Sequence, residues 1–185
     1  MEQTEVLALT PRVAAARDHW RWRGQARPPF TDTPGSGQIS VWDFPRPPRL
    51  EPVAVCLSVR GGDTLLARTE RGCRVLETAG APTYYFPPED VAVDALRVTA
   101  GRSLCEWKGV AQSYAWADVD PAAWCYPQTF AEFTAIRGWF AFYPGVLDCR
   151  VGDERASAQP GGYYGGWVTA DLCGPIKGEP GSGAW

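Results

Sequence analysis

Glycine and proline interrupt this chain too often for long helices. Twenty glycines and seventeen prolines are spread through 185 residues. Proline removes a backbone donor and glycine loosens a helix interior, so the windows between them suit short strands and turns. Those windows are rich in aromatic side chains, with nine Trp, seven Tyr and seven Phe. So many rings either fill a bulky core or wall a ligand pocket. The expectation is a mostly β protein.

Composition bounds the class. Hydrophobic residues make up 45% and charged residues 21%, which is globular rather than disordered. The length suits one domain with an arm. No run approaches the ~18 apolar residues of a membrane span. The opening "MEQTEVLALTPRVAAARDHW" is acidic first and has no apolar signal core, so the expected compartment is the cytoplasm, with no membrane partner. The formal net charge is −3. A nucleic-acid binder needs a basic excess to neutralise phosphates, and the basic segment "RWRGQAR" is short, so no nucleic-acid partner is expected.

Cysteines stand at 56, 73, 105, 125, 149 and 173. Four lie in strand-like apolar runs, where a free thiol behaves as a small hydrophobe, and we read all six as reduced. There is no C-x-x-C pair, and His19 is the only histidine. Metal sites draw on close-spaced Cys and His, so neither a metal nor another cofactor is expected. Ser-His-Asp and Cys-His mechanisms lose their base for the same reason.

Along the chain, residues 1–37 read as an arm in which "PRVAAARDHWRW" makes a short helix started by Pro11. Residues 38–185 read as one domain. Its first part, 41–52, is a proline-rich strap with Trp42 and Phe44 as anchors; proline excludes it from a central strand. "VAVCLSVR" alternates, with Val53, Val55, Leu57 and Val59 on one face, and 53–70 reads as a hairpin across "GGD". "RGCRVLET" follows as a third strand. "LCEWKG" and "VAQSYAWADV" form a second hairpin hinged at Gly109. "QTFAEFTAI" reads as a helix, with Thr129 and Glu132 at capping-box spacing. "GWFAFYP" is apolar on both faces, as a central strand is. The glycine-rich flap 160–185 keeps two Trp and two Tyr in "GGYYGGWVTADLCGPIKGEPGSGAW" before and at its end, so it should fold back onto the domain.

Several blocks together, "SVWDFPRPPRLEP", "VLETAGAPTYYFPPEDV", "CEWKG", "AAWCYP", "GWFAFYPG" and "GGYYGGWVTADLCGPIKG", resemble a bacterial and fungal family known as domain of unknown function 427. The resemblance runs over roughly 22–185. It implies a strongly bent antiparallel sheet, barrel- or tent-like, with one short internal helix. Some members carry a nucleotidyltransferase label. The common enzymes of that kind hold Mg²⁺ with paired Asp after a Gly-Ser turn; here only Asp118 and Asp120 come near, without the Gly-Ser.

The residues of chemical interest are few. In an extended 104–108, Glu106 and Lys108 share one face. Either they line a concave pocket, with Glu106 as acid or base and Lys108 stabilising negative charge, or they are a solvated surface pair. Glu77, on an otherwise apolar strand face, needs a partner: Lys108, Arg74 or a ligand. Tyr84 and Tyr85 point opposite ways, so at most one faces a given pocket; Trp124 and Tyr126 are in phase. Tyr164 and Trp167 would cover the sheet or form a lid ending at Lys177, which would meet an anion. The catalytic candidates are thus Glu106, Lys108 and Glu77, and the substrate-binding ones Tyr84, Tyr85, Trp124, Tyr126, Tyr164, Trp167 and Lys177. The expected partner is a small molecule, and the expected activity is metal-free acid–base catalysis. A non-catalytic binding module and a nucleotidyltransferase are the alternatives.

Overall fold

A computed structural model describes residues 6–185 and is mostly β. The arm begins with helix α1 (Pro11–Asp18), whose Thr10 hydroxyl accepts the Val13 N–H at 3.3 Å while proline fills the first turn. The strands follow in order: β1 (Ile39–Ser40), β2 (Arg49–Pro52), β3 (Leu57–Gly61), β4 (Thr64–Thr69), β5 (Cys73–Leu76), β6 (Thr83–Tyr85), β7 (Arg97–Cys105), β8 (Gly109–Trp116), β9 (Val119–Thr129), β10 (Phe140–Phe142), β11 (Asp148–Val151), β12 (Glu154–Arg155), β13 (Ser157–Ala158), β14 (Trp167–Val168) and β15 (Leu172–Cys173).

Three antiparallel sheets dominate, with orders β10-β9-β8-β7, β12-β11-β3-β4 and β2-β5-β6. The first and third are joined where Phe86 and Phe140 exchange backbone hydrogen bonds of 2.8 and 2.9 Å. The sheets are not closed, so of the barrel- and tent-like forms expected the arrangement is not a closed barrel. One core lies among Leu57, Val59, Phe86, Phe142, Cys149 and Trp167. A second gathers Val75, Tyr85, Trp107, Tyr126, Phe133 and Ile136. In a third, Trp42, Phe44 and Leu76 lie under Trp22 and Trp185, so both flanks of the chain meet there.

Three expectations change. Regular pairing in the first hairpin starts at Leu57 rather than Val53, because 53–56 carries the chain from the β2 sheet to the β3 sheet; Val55 is exposed. The helix expected in "QTFAEFTAI" is a kinked 3₁₀ segment, Ala131–Ile136. Thr129 stays in β9 opposite Gly109, so it cannot cap, and Phe130 precedes the turn without a side-chain cap. Most consequentially, 104–108 is not one strand. Cys105 pairs with Gly109, and Glu106, Trp107 and Lys108 form the hairpin turn between β7 and β8. Gly109 (φ +134°) makes this possible, because a Cβ there would run into the Gln128 carbonyl oxygen.

The proline strap runs from a 3₁₀ turn (Val41–Asp43) into β2, which is an edge strand, where proline is tolerated. The C-terminal flap packs back: β15 pairs in parallel with β1, and the Trp42 indole donates to the Pro175 carbonyl at 2.9 Å. Among the described residues no helix is long and apolar enough to cross a membrane.

Candidate functional site

The β7–β8 turn is held down from both sides. Trp107 is buried, and the Arg17 guanidinium of α1 lies 5.1 Å from its ring and 4.9 Å from Phe130. Arg17 Nε also donates to the Glu106 carbonyl at 2.7 Å, and the Phe130 N–H donates to the Lys108 carbonyl at 3.1 Å. With Trp107 anchored in the core, the flanking Glu106 and Lys108 both face a cavity of about 750 Å³, within the ~300–1,000 Å³ range of small-molecule pockets. Tyr85 from β6 and Trp124 and Tyr126 from β9 form its inner wall, and Tyr164 and Lys177 come from the flap.

The two carboxylates have partners that sequence reasoning did not name. Glu106 accepts the Trp20 indole N–H at 2.8 Å. Glu77, just past β5, accepts from Arg46 Nε at 3.2 Å, while Arg74 instead pairs with Glu51. Arg46 is fully buried and also donates to the main-chain oxygens of Trp22 (2.9 Å), Thr78 (2.8 Å) and Trp185 (3.1 Å). Its guanidinium carbon lies 4.4 Å from the Trp20 ring centroid. Lys177 Nζ lies 3.6 Å from the same ring and 5.4 Å from Tyr164. Lys177 is placed by its backbone: its N–H donates to Ala79 at 2.7 Å and its carbonyl accepts from Gln159 at 2.8 Å.

Two lysines in this cavity are only 8% (Lys108) and 5% (Lys177) exposed, and neither forms an ion pair with a described residue. Their electrostatics differ. Burial, reinforced by Arg46, pushes Lys177 down to about 8 against the opposing pull of Glu77 and Glu106. Burial also penalises the Lys108 ammonium, but the surrounding Cys105, Tyr126, Tyr85 and Glu77 outweigh it and hold its pKa above the ordinary lysine value. Burial raises both Tyr85 and Tyr126, so these phenols keep their protons and remain donors, although Lys108 pulls the other way. The Tyr85 hydroxyl is fully buried and makes no hydrogen bond; Trp124 approaches it without reaching bonding geometry. The arrangement can bind negative charge at its inner end and hold a carboxylate against a substrate nearer its mouth.

Of the residues singled out from sequence, Glu77, Tyr85, Glu106, Lys108, Trp124, Tyr126, Tyr164 and Lys177 line this one cavity. Tyr84 and Trp167 do not. Tyr84 faces the opposite side of β6, as alternation requires, and stacks 4.9 Å from Trp167. Trp167 is fully buried and donates its indole N–H to the Phe142 carbonyl at 2.9 Å. Both belong to the core around Leu57 and Phe86. Asp118 and Asp120 sit exposed at the β8–β9 turn and do not line the cavity. Sequence reasoning missed Trp20 and Arg46. Trp20 sits in the arm set aside as peripheral, and the one local signal at Arg46 was its position between two strap prolines.

None of the curated proteins matches this chain. One family model matches residues 49–153, more than half of the sequence. That segment contains Glu77, Tyr85, Glu106, Lys108, Trp124 and Tyr126, whereas Trp20, Arg46, Tyr164 and Lys177 lie outside it. That match identifies the chain as belonging to the family described as domain of unknown function (DUF427).

Proposed function

We propose that this protein is an acid–base enzyme acting on a small molecule bound in the Glu77–Glu106–Lys108–Lys177 cavity. Glu106 takes a proton from the substrate and returns it, Lys108 stabilises the negative charge that develops, and Tyr85, Trp124 and Tyr126 grip the rest. This chemistry covers isomerase, lyase, cyclase and hydrolase steps that need no electron transfer. The observation that supports it is a buried lysine, without an ion pair among the described residues, facing the same aromatic-walled cavity as a carboxylate. Such unpaired buried charge is costly for folding alone and is concentrated at functional sites.

The test is a metabolite panel screened by thermal shift, with turnover of each hit followed by NMR for wild type and Glu106→Gln. Glu106→Gln should keep binding and lose about 100-fold or more in kcat, in line with the 10²–10⁴ contribution of a general base. Equal turnover in the two proteins would refute the role of Glu106.

Binding without turnover is the second reading. One observation favours it: both carboxylates are already engaged, Glu106 by Trp20 and Glu77 by Arg46. Hits that bind tightly and are never converted would decide for it.

A further inference from the structure

The inner end of the cavity is chemically one-sided. Among the described residues Lys108 is buried without an ion pair, and the Tyr85 hydroxyl is fully buried with no hydrogen bond. The Tyr85 and Tyr126 rings lie 6.5 Å apart, and both line the cavity together with Lys108 and Trp124. Each of these groups can donate: an ammonium, two O–H groups and an N–H. No carboxylate of the described residues is committed to them. Glu77, the charged carboxylate that most affects Lys108, is held by Arg46, and Glu106 is held by Trp20. Across the whole cavity Arg46, Lys108, Lys177 and the exposed Arg102 face Glu77 and Glu106, so positive charge is in excess among the described residues. A buried hydroxyl left without an acceptor destabilises the fold. A protein retains that cost where a ligand supplies the acceptor.

We propose that this inner end is a carboxylate-binding subsite, built by Lys108, Tyr85, Tyr126 and Trp124, and that the protein's ligands are small carboxylic acids bearing an aromatic or apolar body. Of the four side chains that build the subsite only Lys108 is a cation, and one charge matches a monoanion rather than a phosphate dianion. Two carboxylate oxygens can be shared between the ammonium and the phenol, charge-assisted bonds of the stronger kind. The rings around the subsite suit an apolar body. The inference rests on the small-molecule reading of the same cavity but is independent of turnover.

The experiment uses the full chain and measures binding by calorimetry, with thermal shift as a check. The probes are benzoate, phenylacetate and 3-phenylpropionate, their three neutral amides, and phenyl phosphate. At least one acid should bind about 10-fold or more tighter than its amide, the scale of a hydrogen bond to a charged group. Tyr85→Phe should weaken acid binding by about 10-fold, weaken amide binding by less because a neutral carbonyl accepts the weaker bond, and raise rather than lower the melting temperature of the ligand-free protein, because it removes an unsatisfied hydroxyl. Lys108→Met should abolish the preference for acids; should that variant not fold, Tyr85→Phe decides alone. The proposal is overturned by acids and amides binding equally, by none of the acids binding, by phenyl phosphate binding tighter than every acid, or by Tyr85→Phe leaving the acid-to-amide ratio unchanged. Acid preference without turnover would sink the catalytic reading alone, and Glu106-dependent turnover of neutral compounds without acid preference would sink the subsite alone.

Discussion

Replacing Arg46 by methionine tests how the proline strap is fastened over the cavity. Methionine keeps most of the stem's volume and removes every donor. Four hydrogen bonds disappear, those to Glu77 and to the main-chain oxygens of Trp22, Thr78 and Trp185. The Thr78 carbonyl is buried, and stranding it costs about 1–3 kcal/mol. Trp22, Trp185 and the quarter-exposed Glu77 can recruit water, so each loses less, about 0–1 kcal/mol for the ion pair. The stack on Trp20 adds about 0.5–2 kcal/mol. Relief from burying a guanidinium offsets part of this. The expected net loss is about 3 kcal/mol, or roughly 6–12 °C in Tm for a domain of this size. Urea and thermal unfolding of Arg46→Met, Glu77→Gln and the double variant would measure it. The coupling between the two sites should be no more than about 1 kcal/mol. An Arg46→Met protein within about 1 kcal/mol of wild type would show that burying the guanidinium cancels its bonds, and the fastening argument would fail.

Two further outcomes follow from the geometry. Lys177, lowered to about 8 among Arg46, Glu77, Glu106 and Tyr164, releases its proton earlier when folded than when unfolded. Below about pH 8 the cost of burying its charge is fully present, and it is relieved as pH rises through 8 toward the ordinary lysine value of 10.5, because the unfolded chain then binds more protons. Lys177→Met should therefore show its largest stability advantage over wild type below pH 8 and lose that advantage toward pH 10.5; a pH-independent difference in urea unfolding would contradict this. Gly109→Ala should cost about 3 kcal/mol or more, since it forces an L side chain to φ +134° and into the Gln128 carbonyl; a loss under about 1 kcal/mol by the same unfolding measurement would refute the close approach.

What was legible in the sequence depended on period and on spacing along the chain. Alternation correctly separated Tyr84 from Tyr85 and kept Trp124 and Tyr126 together, because those residues sit in paired strands where the period of two is enforced. It gave the wrong local geometry for Glu106 and Lys108. Both reach the cavity, but from a three-residue turn whose middle member, Trp107, is anchored in the core. The capping-box spacing at Thr129 was overridden because β9 pairing with Gly109 claims that residue first. The partners of the two carboxylates were beyond any local pattern. Trp20 meets Glu106 across 86 residues and Arg46 meets Glu77 across 31. Such pairings depend on how the strap and arm drape over the sheets, and no window of sequence encodes that.

The division of the cavity between a central span and two flanks has a practical corollary. Trp20 and Lys177, from opposite ends of the molecule, touch above the same hollow, while the acid and the amine of the hairpin turn come from the middle. A protease cut that freed the arm would carry Trp20 away from Glu106 and Lys177 and uncover the hollow, whereas a cut that freed the flap would also draw Trp167 out of the main core. The two ends are thus unequal as handles: exchange of the arm changes what the hollow admits, and exchange of the flap changes what holds the sheets together.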